Sequence, residues 1–266
     1  MIIIGEKING TIDDVRDAIV RRDDSFLAAL ASSQAEAGAD CIDVNVDTGG
    51  KASEMESMEW AVGVVKEAAG RPLALDSSDP EVLQRCLKLY GGEGLFINSV
   101  TGERPRLEGV LPQVARHRCR VVALAMDESG IPETPEGRLE VCRRILAAAR
   151  EFGVPVENVF LDPLALPISA DWKQGRITLD TLSLIRSEFP GAKAVLGLSN
   201  VSFGLPARSL VNRSMLAAAI SVGLDAVLMD PMDNGLKATI YAAEAVAGAD
   251  RYCRDYVKAF RNGLLS

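Results

Sequence analysis

The 266-residue sequence contains one histidine, His117, and five cysteines with no C-x-x-C pair among them. A catalytic zinc site ordinarily takes at least two His or Cys ligands set close together, which one histidine and scattered cysteines do not offer, so neither a catalytic zinc site nor a zinc knuckle is indicated, and no tightly bound metal is expected. The odd number of cysteines, scattered over Cys41, Cys86, Cys119, Cys142 and Cys253, argues against a disulfide framework and for reduced, mostly buried thiols. No apolar run reaches the roughly 18 residues that span a bilayer. The opening "MIIIGEKING" turns acidic before a signal-peptide core develops. A soluble, cytoplasmic chain without a membrane partner is the expectation. Basic clusters are missing too: the net charge is −8, and a nucleic-acid surface would need a local excess of Lys and Arg. Neither G-x-x-x-x-G-K-[ST] nor G-x-G-x-x-G occurs, and "GGEG" (91–94) reads as a turn between helix and strand. A Schiff-base aldolase needs a lysine inside its fold, and the strand interiors offer Lys7 alone. His117, in "QVARHRCRV", sits at an expected helix end and reads as a surface residue.

What the sequence does contain is a repeated alternation. Eight β-rich apolar runs recur: "MIIIGEKI" (1–8), "CIDVNVD" (41–47), "PLALDSS" (72–78), "LFINSV" (95–100), "RVVALAMD" (120–127), "VFLDPLA" (159–165), "AKAVLGLSN" (192–200) and "AVLMDP" (226–231). Continuous Val, Ile and Leu runs suit strands buried on both faces of a parallel sheet. Between them lie helical segments with start signals. "DPEVLQRCLKLYGG" (79–92) opens on an Asp cap and a first-turn Pro, "TPEGRLEVCRRILAAAREFG" (134–153) does so with Thr134 and Pro135, and "SFLAALASSQAEAGA" (25–39) runs to a Gly stop. Eight such units predict one α/β domain over residues 1–266, a (β/α)8 TIM barrel, with an open doubly wound sheet as the rival because periodicity cannot show closure. The tail "DRYCRDYVKAFRNGLL" (250–265) predicts a further helix outside the barrel or against a second subunit.

The strand exits are polar: Glu6 and Lys7; Asp43, Asn45 and Asp47; Asp76, Ser77 and Ser78; Asn98 and Ser99; Asp127; Asp162; Ser199 and Asn200; Asp230. In a barrel these ends converge on one mouth, where active sites are built. Helix capping is the competing explanation: it suits Asp79 and Thr134 well, and at Ser77, Ser78 and Asp127 it stands level with a role in the site. It does not suit Asp162, because Pro163 follows and "LDPLALP" holds the chain extended. Asp76, Asn98 and Asp162 together suit a ligand with a flat edge of N–H donors and mixed acceptors, since a carboxylate accepts two parallel bonds and an amide both donates and accepts. A pterin has such an edge.

"GEKING", "CIDVNVD", "LALDSS", "FINSV", "FLDPLALP", "VLGLSNVS" and "LVNRS" together resemble the pterin-binding methyltransferases: the methyltetrahydrofolate:corrinoid protein methyltransferases of acetogens and related anaerobes, kin to the folate domain of cobalamin-dependent methionine synthase. The resemblance runs the length of the chain. It implies a barrel, usually a homodimer, that moves the N5-methyl group of methyltetrahydrofolate to the cobalt of a cobalamin-type corrinoid carried by a partner protein. By motif it implies that Asp76, Asn98 and Asp162 hold the pterin, that Gly197, Ser199 and Phe203 line the same pocket, that Asn200 lies near N5 as the catalytic residue, and that Arg208 lies near the folate tail. Phe203 departs from the Gln of the acetogen pattern. No D-x-H-x-x-G signature of a corrinoid-binding domain is present, so the corrinoid must arrive on another protein.

Two other functions fit a pterin pocket. A dihydropteroate synthase expels diphosphate and needs cations after strands 7 and 8, where "LGLSNVSFG" and "LMDPMDNG" supply none before Arg208. A non-catalytic pterin-binding subunit would share the Asp and Asn residues without needing Asn200.

Overall fold

The computed structural model describes residues 1–91 and 94–265. Its strands are β1 (Ile2–Asn9), β2 (Cys41–Asn45), β3 (Leu73–Asp76), β4 (Phe96–Val100), β5 (Arg120–Leu124), β6 (Val159–Asp162), β7 (Lys193–Gly197) and β8 (Ala226–Met229). All pair in parallel, in chain order, and the sheet closes. Ile4 of β1 faces Cys41 of β2 on one side and Leu228 of β8 on the other, so the open-sheet alternative is removed.

The helices are α1 (Asp13–Arg21), α2 (Asp24–Glu36), α3 (Glu54–Ala69), α4 (Pro80–Tyr90), α5 (Arg104–His117), α6 (Pro135–Glu151), α7 (Gln174–Glu188), α8 (Arg208–Ser221), α9 (Asn234–Val246) and α10 (Arg254–Arg261). Their starts follow the caps in the sequence. Asp79 accepts from the Glu81 amide at 2.8 Å before α4, and Thr134 from the Gly137 amide at 3.1 Å before α6. Such a cap is worth about 1 kcal/mol. Gly92 and Glu93, within the expected turn 91–94 and at the expected end of α4, lie outside the described residues.

Side chains alternate along each strand, and the two faces have different work. Outward residues such as Ile42, Val44, Leu75 and Ile97 pack under Met58 and Val62 of α3 and Leu83 and Leu87 of α4. Inward residues fill the barrel with a plug of one residue per strand: Ile4, Cys41, Ala74, Phe96, Val122, Phe160, Val195 and Ala226. Each larger aliphatic or aromatic residue so buried stabilises the fold by about 1.5–3 kcal/mol. Phe96 and Phe160 meet edge to face at the centre, with ring centroids 4.9 Å apart. Four cysteines are buried and Cys253 is exposed. The tail forms α10 outside the barrel, where Asp250 accepts the amides of Asp255 and Tyr256 and only Ala259 of the helix is buried. No helix among the described residues is long and apolar enough to cross a membrane.

Candidate active site

One step of the two-residue alternation beyond the plug gives the floor of the mouth. From Ile4, Cys41, Ala74, Phe96, Phe160 and Val195 it leads to Glu6, Asp43, Asp76, Asn98, Asp162 and Gly197, so the polar strand ends point inward on the same face as the plug. Register places Asn45 beside Asp76 and Asp76 beside Asn98. The ladder to β5 slips between Asn98 and Val100, where the Asn98–Ser99 peptide is cis.

These groups orient one another. Asn45 Nδ2 donates to Asp76 Oδ2 at 2.8 Å, and Asn98 Nδ2 donates to Asp43 Oδ1 at 3.0 Å. Asn98 is thereby fixed with its amide nitrogen toward Asp43, which leaves its oxygen as an acceptor for a ligand. Asp162 Oδ1 accepts from the Leu164 amide at 2.7 Å and Oδ2 from the Gly197 amide at 3.3 Å. A carboxylate has about four lone-pair directions, so each oxygen retains one for a ligand donor.

Burial sets the charges. It pushes the Asp162 carboxyl up to about 6, against the opposing pull of the Leu164 and Gly197 amides and of Arg138. It does the same to Asp76, to about 6, with Asn45 lowering and Glu54 raising the value. Asp43 is pushed well above the ordinary carboxylate range, by burial first and then by the charge of Asp76. Of the two neighbours, Asp43 retains its proton to higher pH, and Asp76 is the one that ionises. Glu6 is also raised by burial, while its bond from Ser199 Oγ, 2.5 Å, pulls it down. Asp76 and Asp162 thus become anionic acceptors as pH rises through about 6.

The exit of β7 makes the rim. Residues Leu198–Ser202 form a 3-10 turn that carries Asn200 exposed, with no side-chain hydrogen bond among the described residues. Arg208 holds this turn: Nη2 donates to the Ser199 carbonyl at 2.7 Å and Nε to Ser202 Oγ at 3.0 Å. Its guanidinium lies 6.0 Å from the Phe203 ring centroid, and Phe203 is 63% exposed. Ser169 Oγ donates to the Phe203 carbonyl at 2.6 Å, tying the rim to the segment after β6.

Asp76, Asn98, Asp162 and Gly197 are therefore together in the floor, and Ser199, Asn200, Phe203 and Arg208 together on the rim above β7. Arg208 is engaged by the turn rather than extended over the mouth. Asp127 and Asp47 stay outside the floor: Asp127 pairs with Arg144 of α6, which lowers its carboxyl, and Asp47 is exposed and accepts the Gly49 amide at 2.8 Å. Lys7 Nζ lies 3.4 Å from Asp230 Oδ2. His117 ends α5, beside the start of β5 and so at the opposite end of the barrel, and is half-buried. Among the described residues no group of three or more His, Cys, Asp or Glu could hold a metal ion.

Two supporting arginines were not singled out from the sequence. Arg106 of α5 donates to the carbonyls of Ser77 and Ser99, each at 2.6 Å, and to that of Ser78, which ties the exits of β3 and β4 together. Arg138 of α6 is fully buried. A signal for Arg138 existed: it shares helical spacing with the buried Val141, Cys142 and Ile145 and so falls on the apolar stripe. Arg106 had none, since nothing in its spacing marks carbonyls contributed by two other loops.

The family model described as "Pterin binding enzyme" matches residues 5–230. Methylcorrinoid:tetrahydrofolate methyltransferase of Eubacterium limosum is 38% identical over 267 aligned positions, covering 100% of this chain and 98% of that protein. Methionine synthase of Mycobacterium leprae (strain TN) is 31% identical over 242 positions, 86% of this chain, and this chain spans only 20% of its length. Among solved structures, a dihydropteroate synthase from Coxiella burnetii in complex with pteroic acid superposes with a TM-score of 0.65, at 13% identity, over 92% of this chain and 93% of that one. At that identity the likeness carries the fold alone.

Proposed function

The chain belongs to the pterin-binding enzyme family, and we propose that it is a methyltransferase moving a methyl group between the cobalt of a separate corrinoid protein and N5 of tetrahydrofolate. The observation that carries this reading is the inward row of Asp76, Asn98 and Asp162, each already oriented by a protein partner and each with acceptor capacity left over. The aminopyrimidine edge of a pterin offers the parallel N–H donors that such carboxylates accept.

The E. limosum relative is named for transfer from methylcorrinoid to folate, and we take the same direction here. The partner's corrinoid supplies a cobalt-bound methyl group and takes back the bonding electron pair when the N5 lone pair attacks carbon. N5 then loses its proton; in the reverse direction N5 must gain one, because a tertiary amine is a poor leaving group. Asn200 has no titrating proton. Its amide, exposed on the β7 turn, hydrogen-bonds N5 and the water that carries the proton, and so stabilises charge as it changes at N5. Asp76 and Asp162 bind the far edge of the pterin, and Gly197 stands beside Asp162, its amide donating to Oδ2. Ser199, hydrogen-bonded to Glu6, and Arg208, bound to the Ser199 carbonyl and to Ser202, hold the Asn200 turn at this height. Phe203 forms the outer wall.

We read residues 1–266 as one catalytic domain that works in the cytoplasm as a homodimer. The exposed Tyr252, Val257, Phe260 and Leu264 of the tail support the second copy. The partner corrinoid protein docks over the mouth, since a corrin is too large for a pterin pocket.

Purified chain, tetrahydrofolate and methylated corrinoid should together yield methyltetrahydrofolate without added metal. Asp162→Ala should weaken folate binding at least tenfold, about 1.4 kcal/mol, because a hydrogen bond to a charged group contributes about 1.5–3 kcal/mol. Equal affinity in isothermal titration would remove Asp162 from the pocket.

A further inference from the structure

Arg138 is fully buried, and every hydrogen-bond partner of its guanidinium is neutral. Nε donates to the Pro132 carbonyl at 3.0 Å, Nη1 to the carbonyls of Pro163 and Leu164, both at 2.8 Å, and Nη2 to Gln174 Oε1 at 2.9 Å. A buried cation normally sits against a carboxylate, because desolvating a charge without a counter-charge is costly. Here the carboxylate whose field acts on Arg138 is Asp162, which it does not touch.

The bonds show what the arginine does instead. Pro163 and Leu164 are the two residues after Asp162, and Leu164 has a left-handed φ of 64°, unusual for a residue with a side chain. Its amide is held by Asp162 Oδ1, and its carbonyl by Arg138 and by Thr178 Oγ1 at 3.1 Å. The strained peptide is clamped at both ends, and the clamp decides where the Asp162 carboxylate points.

We propose that Arg138 is the positioning residue of the ligand pocket: it locks the Asp162–Leu164 turn and, from behind, adds its positive charge to the pull of the Leu164 and Gly197 amides, so that the buried Asp162 meets its ligand as an anion. Arg138 touches neither substrate nor reacting atoms. The proposal rests on the methyltransferase reading only for the identity of the ligand. The groups facing Asp162 are few. From α6 come Arg138 and Cys142, whose thiol burial pushes up to about 12 and so keeps neutral; from the turn comes the Leu164 amide, and from β7 the Gly197 amide. Asp171 lies one residue further back, bonded to Gln174.

Carbon-13 NMR of the Asp carboxyls in the full chain, with the Asp162 signal assigned by its loss in Asp162→Asn, tests this. In Arg138→Met the Asp162 midpoint should move up, because the variant removes the positive charge behind it and loosens the turn whose amide it accepts. The pH at which tetrahydrofolate binding reaches half strength should move with it, and Arg138→Lys should restore part of the shift. A purely structural role would lower stability and affinity and leave both midpoints in place, which would overturn the proposal. Should Arg138→Met fail to fold, the Arg138 Nε–H shift in the wild-type chain is the second readout. It should inflect at the Asp162 midpoint and lose that inflection in Asp162→Asn, and a flat profile in the wild type would overturn the proposal equally. A wild-type chain that binds no tetrahydrofolate would sink the folate reading and leave the carboxyl titration fully readable.

Discussion

Replacing Asp162 by Asn should make the folded chain more stable at neutral pH while it makes the pocket worse. Burial raises this carboxyl from 3.8 to about 6. The folded chain therefore holds the Asp162 proton more tightly than the unfolded chain does. Between about pH 4 and pH 6 the folded state retains a proton that the unfolded state has released, so stability falls as pH rises through that window, and above it the whole penalty is present. Roughly two pKa units at about 1.4 kcal/mol each put that penalty near 3 kcal/mol. An Asn removes the charge but has one acceptor oxygen for two amides, Leu164 at 2.7 Å and Gly197 at 3.3 Å. One buried amide is left without its acceptor, at a cost of about 1–2 kcal/mol. The net gain at pH 7 is about 1–2 kcal/mol, which for a chain of this size raises Tm by roughly 2–8 °C. At pH 4 the gain should vanish and the variant should fall slightly below the wild type. Thermal unfolding of both proteins by circular dichroism at pH 4, 5, 6 and 7 measures the difference, in which contributions from Asp43, Asp76 and Glu6 largely cancel. A Tm difference that does not change with pH would refute the reasoning, because it would mean that Asp162 has the same proton affinity folded and unfolded.

Tetrahydrofolate affinity should rise with pH through about 6, as Asp76 and Asp162 become anionic acceptors; titration calorimetry giving a flat profile from pH 5 to 7.5 would show that the ligand meets neutral carboxyls. Asn200→Ala should slow methyl transfer roughly 10²-fold while ground-state folate binding changes much less, since its bond strengthens as charge changes at N5. Rates at saturating free cobalamin decide that split, and a loss confined to affinity would make Asn200 a binding residue only. Transfer with the protein-bound corrinoid should fall as salt rises, and transfer with free cobalamin should fall less, because a transient docking surface on a chain of net charge −8 is partly electrostatic. Matching salt profiles would remove surface charge from docking.

The barrel was readable because two periodicities alternate without interference. Val, Ile and Leu runs at 41–47, 72–78 and 95–100 are too apolar to lie anywhere but between layers, and Asp79–Pro80 and Thr134–Pro135 mark helix starts by local chemistry alone. Asp76, Asn98 and Asp162 stood out for the same reason, as polar residues ending apolar runs where the chain leaves the sheet. Asp127 stood out by the same rule and has another use, an ion pair with Arg144 in a turn. Polarity at a strand end does not say which way a side chain faces once the strand is over.

Sequence by itself determined the order and kind of the elements, because propensity, capping and burial act over a few residues at a time. It also determined which strand ends are polar. Closure of the sheet, the pairing of Asn98 with Asp43 and of Asn45 with Asp76, and the raised carboxyl pKa values in the floor belong to the tertiary structure. Closure pairs Ile4 with Leu228 across nearly the whole chain, and the two side-chain pairs bring residues 31 and 55 positions apart within about 3 Å and away from water; no local rule encodes that distance or that dielectric. Arg138 lies on the same divide: helical spacing puts it on the buried stripe of α6, but only the folded barrel sets the Pro163 and Leu164 carbonyls where its guanidinium can hold Asp162 in place.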